Sequence, residues 1–114
     1  MSRQLNLEDE KELMALGKAL SSEIRIRILE LLQKEPICVN EIAEILEIPP
    51  SSAALHVRVL QEANLIRTEL KPGIRGSMKL CILQETSILL HLQKRKVKKR
   101  EEVISMPVRS EERR

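Results

Sequence analysis

The sequence predicts an α+β fold, mostly α, with three to four helices followed by a β-hairpin. Three observations carry this. Apolar residues recur at helical spacing through four consecutive segments up to residue 63. The period then shortens to two at residues 66–71. Paired turn signals, Pro72-Gly73 and Gly76-Ser77, follow at once and are succeeded by a second apolar run.

The first helix is predicted over 8–20, where Leu13, Leu16 and Leu20 form one stripe and Glu8 to Glu10 suit a helix N-terminus. Ser21 and Ser22 interrupt the pattern and offer capping oxygens. The second helix covers 23–34, with Ile24, Ile28, Leu31 and Leu32 inward, and stops before Pro36. A short third helix, 39–46, takes Asn40 as its cap and turns Ile42, Ile45 and Leu46 to one side. After Glu47-Ile48-Pro49, Pro50 occupies a position that a first helical turn accepts. The fourth helix, 51–63, has Ala53, Val57 and Leu60 inward, and Asn64 can take the left-handed conformation that closes it. In Ile66-Arg67-Thr68-Glu69-Leu70-Lys71, apolar or β-branched residues alternate with charged ones. With the returning strand Ser77–Leu83, residues 65–83 form a hairpin.

Three helices and a hairpin in this order define a winged helix-turn-helix, here predicted over residues 8–83. Residues 84–92 fit either a strand extension or a helix, and are a candidate dimerisation segment. Residues 93–114, basic and then of mixed charge, are expected to be poorly ordered. Lys94 to Arg100 supplies six basic side chains in seven residues, readable as a solvated tail, an accessory DNA arm or a dimerisation helix. The ending VRSEERR is compatible with a longer protein.

Charge is unevenly placed. Residues 1–50 carry a net −4, residues 51–100 a net +8, and residues 101–114 a net −1. The middle block suits a polyanion, or else is a solvated basic surface. The chain has no Phe, Tyr or Trp, which removes the stacking platforms used by single-stranded nucleic-acid binders. Double-stranded DNA is therefore the expected partner. No apolar run approaches the ~18–20 residues of a membrane span. The polar start is unlike a signal peptide, and two cysteines do not make a secreted-domain framework. A cytoplasmic protein is expected.

The stretch from Ser22 to Cys81 resembles the arsenic-repressor-like (ArsR-like) family of winged-helix transcriptional regulators. Ser22-Glu23-Ile24-Arg25-Ile26-Arg27-Ile28-Leu29 resembles the family's opening D-P-x-R-x-x-I-L segment. Asn40 to Leu46 is similar to its first helix-turn-helix helix. Leu55-His56-Val57-Arg58-Val59-Leu60-Gln61-Glu62-Ala63-Asn64-Leu65-Ile66 is similar to H-H-L-K-V-L-R-E-A-G-L-V at its recognition helix. The chain departs from that pattern in three places: Ala54 replaces a serine, Asn64 replaces a glycine, and Asn40 replaces the second cysteine of the Cys-x-Cys arrangement in metal-sensing members. One thiolate beside an amide does not make a soft-metal site, and His91 stands alone. The resemblance thus implies DNA binding without metal sensing. No metal or cofactor is expected, and the sequence names no effector.

The DNA-binding candidates are Ser51, Ser52, Leu55, His56 and Arg58 on the fourth helix, and Lys71, Arg75 and Lys79 on the hairpin. Ser51 and Ser52 stand at a helix N-terminus, where hydroxyls and backbone N–H groups favour phosphate but can equally cap the helix. Leu55 faces outward and could meet a thymine methyl, or be an incidental exposed leucine. His56 is either a structural histidine or a phosphate contact. Arg58 reads as a phosphate ligand. Cys38 and Cys81 read as buried thiols, with a redox or metal role as the alternative. A homodimer is expected, since one recognition helix covers only a half-site. Its surface would join the first helix, through Leu13, Leu16 and Leu20, with residues 84–92. The expected function is transcriptional regulation by operator occupancy. A winged-helix adaptor that binds proteins of the transcription machinery is the alternative. An enzyme is not expected, because no nucleophile–base pair, carboxylate pair or phosphate-cradling loop is present.

Overall fold

The computed structural model describes residues 2–73 and 76–93. The elements run β1 (Ser2–Asn6), α1 (Glu10–Leu20), α2 (Glu23–Leu32), β2 (Ile37–Cys38), α3 (Val39–Leu46), α4 (Pro50–Glu62), β3 (Ile66–Gly73), β4 (Gly76–Leu83) and β5 (Ser87–His91). Four helices precede an antiparallel hairpin, as the periodicity predicts. Strand β4 is the centre of a three-stranded sheet ordered β2-β4-β3, and β1 and β5 form a separate parallel pair.

Helix starts follow local chemistry. At α2, Ser22 is the N-cap and its Oγ accepts from the Arg25 amide at 3.3 Å, satisfying one of the orphan donors of the first turn. At α3 the cap is Cys38 rather than Asn40. Ile37 and Cys38 pair with Cys81 and Leu80, so the chain leaves a strand and enters the helix at Val39. The Glu41 carboxylate then accepts from the Cys38 amide at 3.2 Å. Glu47 closes α3 in the left-handed region with φ 58°. Asn64 does the same after α4 with φ 61°, as the sequence predicts.

The core is aliphatic. Ile28 of α2, Ile42 of α3, Val57 and Leu60 of α4, Ile66 of β3 and Cys81 of β4 are fully buried together. The expected inner stripes contribute Leu16, Ile28, Leu32, Ile42, Ala53, Val57 and Leu60. Ile45 departs from expectation and is exposed.

Two expectations are corrected here. The sequence expectation assigns the Leu13, Leu16, Leu20 stripe, with residues 84–92, to a dimer surface. Instead Leu16 is buried in the chain's own core, Leu13 packs against that core, and only Leu20 stays exposed, at 42%. Residues 84–92 form neither a helix nor a continuation of β4. They hold a separate strand whose partner is the N-terminal β1, with Leu5 opposite Leu90 and Arg3 opposite Ile88. Strand β1 was not foreseen, because a five-residue polar strand has one buried side chain, Leu5, and no period to read.

Leu5 is 1% exposed and therefore ties the β1–β5 pair to the helical core. Leu5→Ala is expected to destabilise the protein by about 2–5 kcal/mol, through lost burial and the cavity left behind. Urea unfolding reads this directly. An unchanged midpoint would mean that the pair is not packed on the core.

Candidate nucleic-acid interface

Helices α3 and α4 are joined by the short connection 47–49. Two turns of bonding fix it, since the Ile48 amide donates to the Ala43 carbonyl and the Ala53 amide to the Pro49 carbonyl, both at 3.0 Å. Ala53, Val57, Val59 and Leu60 hold one side of α4 in the core. The opposite side presents Ser51, Leu55 and Arg58, all exposed, with Ser52 half-buried at the first turn. Leu55 is 57% exposed, a large apolar side chain on an otherwise polar ridge. Ser51, Leu55 and Arg58 thus share one outward ridge, while Ser52 and His56, one turn apart, lie together on its half-buried flank.

His56 lies at the flank of α4, half-buried, and its Nδ1 is 3.1 Å from Nη1 of Arg25. A guanidinium only donates, so Nδ1 accepts and the ring proton sits on Nε2. Burial, and secondarily the Arg25 charge, hold the imidazole below its ordinary value of 6.5. A neutral ring already committed to Arg25 is a poor phosphate ligand, which favours the structural reading of this residue.

Arg25 is the residue that sequence reasoning passed over. It lies within the segment that carries the family resemblance, but an arginine near a helix start reads as surface charge. Its Nε donates to the Ala19 carbonyl at 3.0 Å and its Nη2 to the Lys18 carbonyl at 2.8 Å. These are C-terminal carbonyls of α1, where a cation is favoured. One guanidinium therefore joins the end of α1, the first turn of α2 and the side of α4. Arg3 of β1 performs the same service at the far end of α4, with Nη2 donating to the Ala63 carbonyl at 3.1 Å.

The wing is tied to α4 by a bond from Gln61 Nε2 to Thr68 Oγ1 at 3.3 Å. Register decides where the wing cations lie. Thr68 pairs with Cys81 and Leu70 with Lys79, whereas Lys71 pairs with Met78. Alternation along a strand places Lys79 on the face shared with Thr68 and the core, and Lys71 on the opposite face. Both are exposed, but the structure does not bring them together. Arg67, on the same face as Lys71, is joined to Glu69 at 3.3 Å. Arg75 lies outside the described residues, as does the basic run Lys94 to Arg100. Six of the eleven basic side chains in block 51–100 therefore belong to that run.

The two cysteines are buried, Cys38 at 8% and Cys81 at 0% exposure, and both are free thiols. Burial pushes the Cys81 thiol up to about 11, with the neighbouring Cys38 adding to the shift. This favours inert thiols over nucleophiles or ligands. Asn40 is exposed two residues away. Among the described residues no group of three or more His, Cys, Asp or Glu side chains could hold a metal ion. No helix among them is long and apolar enough to cross a membrane.

A helix-turn-helix whose second helix shows a polar ridge, flanked by a hairpin bonded to that helix, defines a winged helix-turn-helix domain. Comparison with known proteins agrees. Residues 20–69 match the model of a helix-turn-helix domain family. An uncharacterised HTH-type transcriptional regulator of Methanocaldococcus jannaschii is 36% identical over 59 residues, covering 52% of this chain and 62% of that protein. The arsenical resistance operon repressor of Bacillus subtilis is 40% identical over 55 residues, covering 47% of this chain and 52% of that one. The match thus spans less than two thirds of either relative. A solved ArsR family transcriptional regulator shares the fold, with a TM-score of 0.58 and 24% identity over 65% of this chain and 77% of its own. The fold is thus a winged helix-turn-helix, and over these residues the chain is similar to ArsR-like regulators.

The His56 environment sets a pH dependence. A histidine whose folded value is depressed binds its proton more readily in the unfolded chain. The stability this confers is present above 6.5 and is lost as pH falls below 6.5 through the lowered folded value. His56→Gln, which keeps an acceptor for Arg25, is expected to flatten the decline in urea midpoint between pH about 7 and about 5. Parallel profiles for variant and parent would show that His56 titrates as it does in the unfolded chain.

Proposed function

We propose that the protein is a double-stranded DNA-binding transcriptional regulator of the cytoplasm, acting by operator occupancy. The observation that carries this reading is the outward ridge of α4, where Ser51, Leu55 and Arg58 stand clear of the core and Ser52 is half-buried beside them, on a helix fixed at its side and its end. Ser51 and Ser52 lie in the first turn, where backbone N–H groups and hydroxyls suit phosphate. Leu55 follows one turn later, an exposed apolar side chain of the kind that meets a thymine methyl. Arg58 is placed for phosphate, and Lys79 lies on the wing face that adjoins α4. Lys71 and Arg75 remain wing contacts in this reading, with Lys71 reaching the duplex from the other side of the hairpin. His56 would act through α4 rather than on DNA. The alternative, an adaptor for proteins of the transcription machinery, has no need of an arginine and paired hydroxyls beside the exposed leucine.

Regulation through a two-cysteine metal site is not part of the proposal. Cys38 is buried at the start of α3, and its neighbour in the Cys-x-Cys pattern is the exposed Asn40. A homodimer is part of it. With Leu16 used by the chain's own core, the exposed apolar side chains offered to a second copy are Met14 of α1, 70% exposed, and Leu89 of β5, 54% exposed.

Two experiments test these readings. Affinity for duplex DNA is expected to fall with salt at a log–log slope of about −4 to −8 for a dimer. In the same titration, micromolar zinc, cadmium or arsenite should leave affinity unchanged. A flat salt response contradicts phosphate binding, and metal-dependent release abolished by Cys38→Ser contradicts the reading of Asn40. Sedimentation should show a dimer at micromolar concentration, and Met14→Glu with Leu89→Glu should give a folded monomer. A monomer in the unmutated protein removes the dimer from the proposal.

A further inference from the structure

A groove of about 330 Å³ opens on the side of the domain where α1 ends, between α2, the base of the wing and β5. Leu20 of α1, Ile26 and Leu29 of α2, Leu65 and Leu83 at the wing base, and Ile88 of β5 line it. Its volume falls at the lower end of the range for small-molecule sites, ~300–1,000 Å³, and a largely aliphatic wall with polar groups at one side is what such sites share.

Its charged groups are of one sign, beside the neutral Gln33, Thr86 and Ser87. Glu30 and Glu85 both line the groove, and among the described residues no basic side chain does. Glu85 is half-buried, and its Oε1 is buried without a hydrogen-bond partner among the described residues. A buried carboxylate oxygen left unsatisfied is unfavourable; Oε1 itself is closed to a ligand, and a cation in the groove beside the half-buried Glu85 relieves the cost through its charge. An anionic ligand would meet two carboxylates, and a wholly apolar one would leave Glu85 unpaired.

We propose that this groove, bounded by α2, the wing base and β5, binds a small amphipathic cation, with its ammonium at Glu85 and its apolar body against Ile26, Leu29 and Ile88. Glu30, exposed at the rim, adds to the negative field that admits it. The site goes beyond the DNA-binding reading and needs no DNA for its test.

The probes are cyclohexylmethylamine, a cation at neutral pH, and its near-isosteres cyclohexylmethanol and cyclohexanecarboxylate. Each is titrated into the full chain without DNA, observing the Ile and Leu methyl resonances. The amine is expected to shift Leu29 and Ile88 saturably, with the carboxylate binding at least about tenfold more weakly. Glu85→Gln should weaken amine binding by about tenfold or more while leaving alcohol binding unchanged. Ile26→Trp, at a residue 43% exposed, should fill the groove and abolish binding, with circular dichroism confirming that the variant stays folded. Equal binding of amine and carboxylate, shifts confined to methyls elsewhere, amine binding indifferent to Glu85→Gln, or no saturable binding would each overturn the proposal.

Discussion

The arrangement of the helices depends on one side chain, the Arg25 guanidinium. Helix α1 ends with carbonyl groups that have no partner within the helix, and helix α4 carries a half-buried imidazole on its flank. Either feature alone would be unfavourable in a small aliphatic core. Arg25 answers both at once, donating to the Ala19 carbonyl, to the Lys18 carbonyl that Ser21 also serves, and to His56. A lysine could not do this, because its ammonium is a single point and lacks the planar fork. Burial first, and the Arg25 charge second, hold the His56 imidazole below its ordinary value, and its Nδ1 accepts from the guanidinium.

What the clamp secures is the attitude of α4. Apolar packing is non-directional, and Val57 and Leu60 alone would allow the helix to slide or rotate. The bond to His56 fixes its side, Arg3 caps its last carbonyls and Gln61 links it to Thr68 of the wing. An exposed leucine and two serines on that ridge are then held by rigid elements, and this is what a surface that discriminates among ligands requires. The strand β1 gains its purpose here as well. It carries both the buried Leu5 and the capping Arg3, so the N-terminal strand is part of the scaffold for the helix furthest from it in sequence among the four.

Much of the fold was legible in the sequence, and the reasons are local. The stripe Ala53, Val57, Leu60 has the helical period, the segment Ile66–Lys71 has the strand period, and Asn64 stands where a left-handed residue is needed. What was missed depends on contacts distant in sequence. Strand β2 has two residues, and only its pairing with Cys81 and Leu80 makes it a strand and moves the α3 cap from Asn40 to Cys38. Strands β1 and β5 exist through each other, across more than eighty residues of chain, and neither shows a period. The Leu13, Leu16, Leu20 stripe is apolar by its period, but periodicity cannot say whether such a face meets the chain's own core or a second copy. The outward ridge of α4 was legible for the same reason as its inner stripe. Arg25 was not, because nothing in a sequence distinguishes an arginine that donates to three acceptors from one in water.

The central claim is that α4 reads DNA sequence through its outward first turns. Selection of bound duplexes from a random pool, carried out in parallel for the parent protein, Leu55→Ala, Ser52→Ala and Lys71→Ala, tests it most directly. The parent should enrich a defined motif. The two helix variants should lose discrimination at particular positions, by about 1–3 kcal/mol per altered base contact, while Lys71→Ala should return the parental motif with weaker binding throughout. A parental motif retained by both helix variants, or a motif altered only by Lys71→Ala, would contradict the assignment of α4 as the reading element.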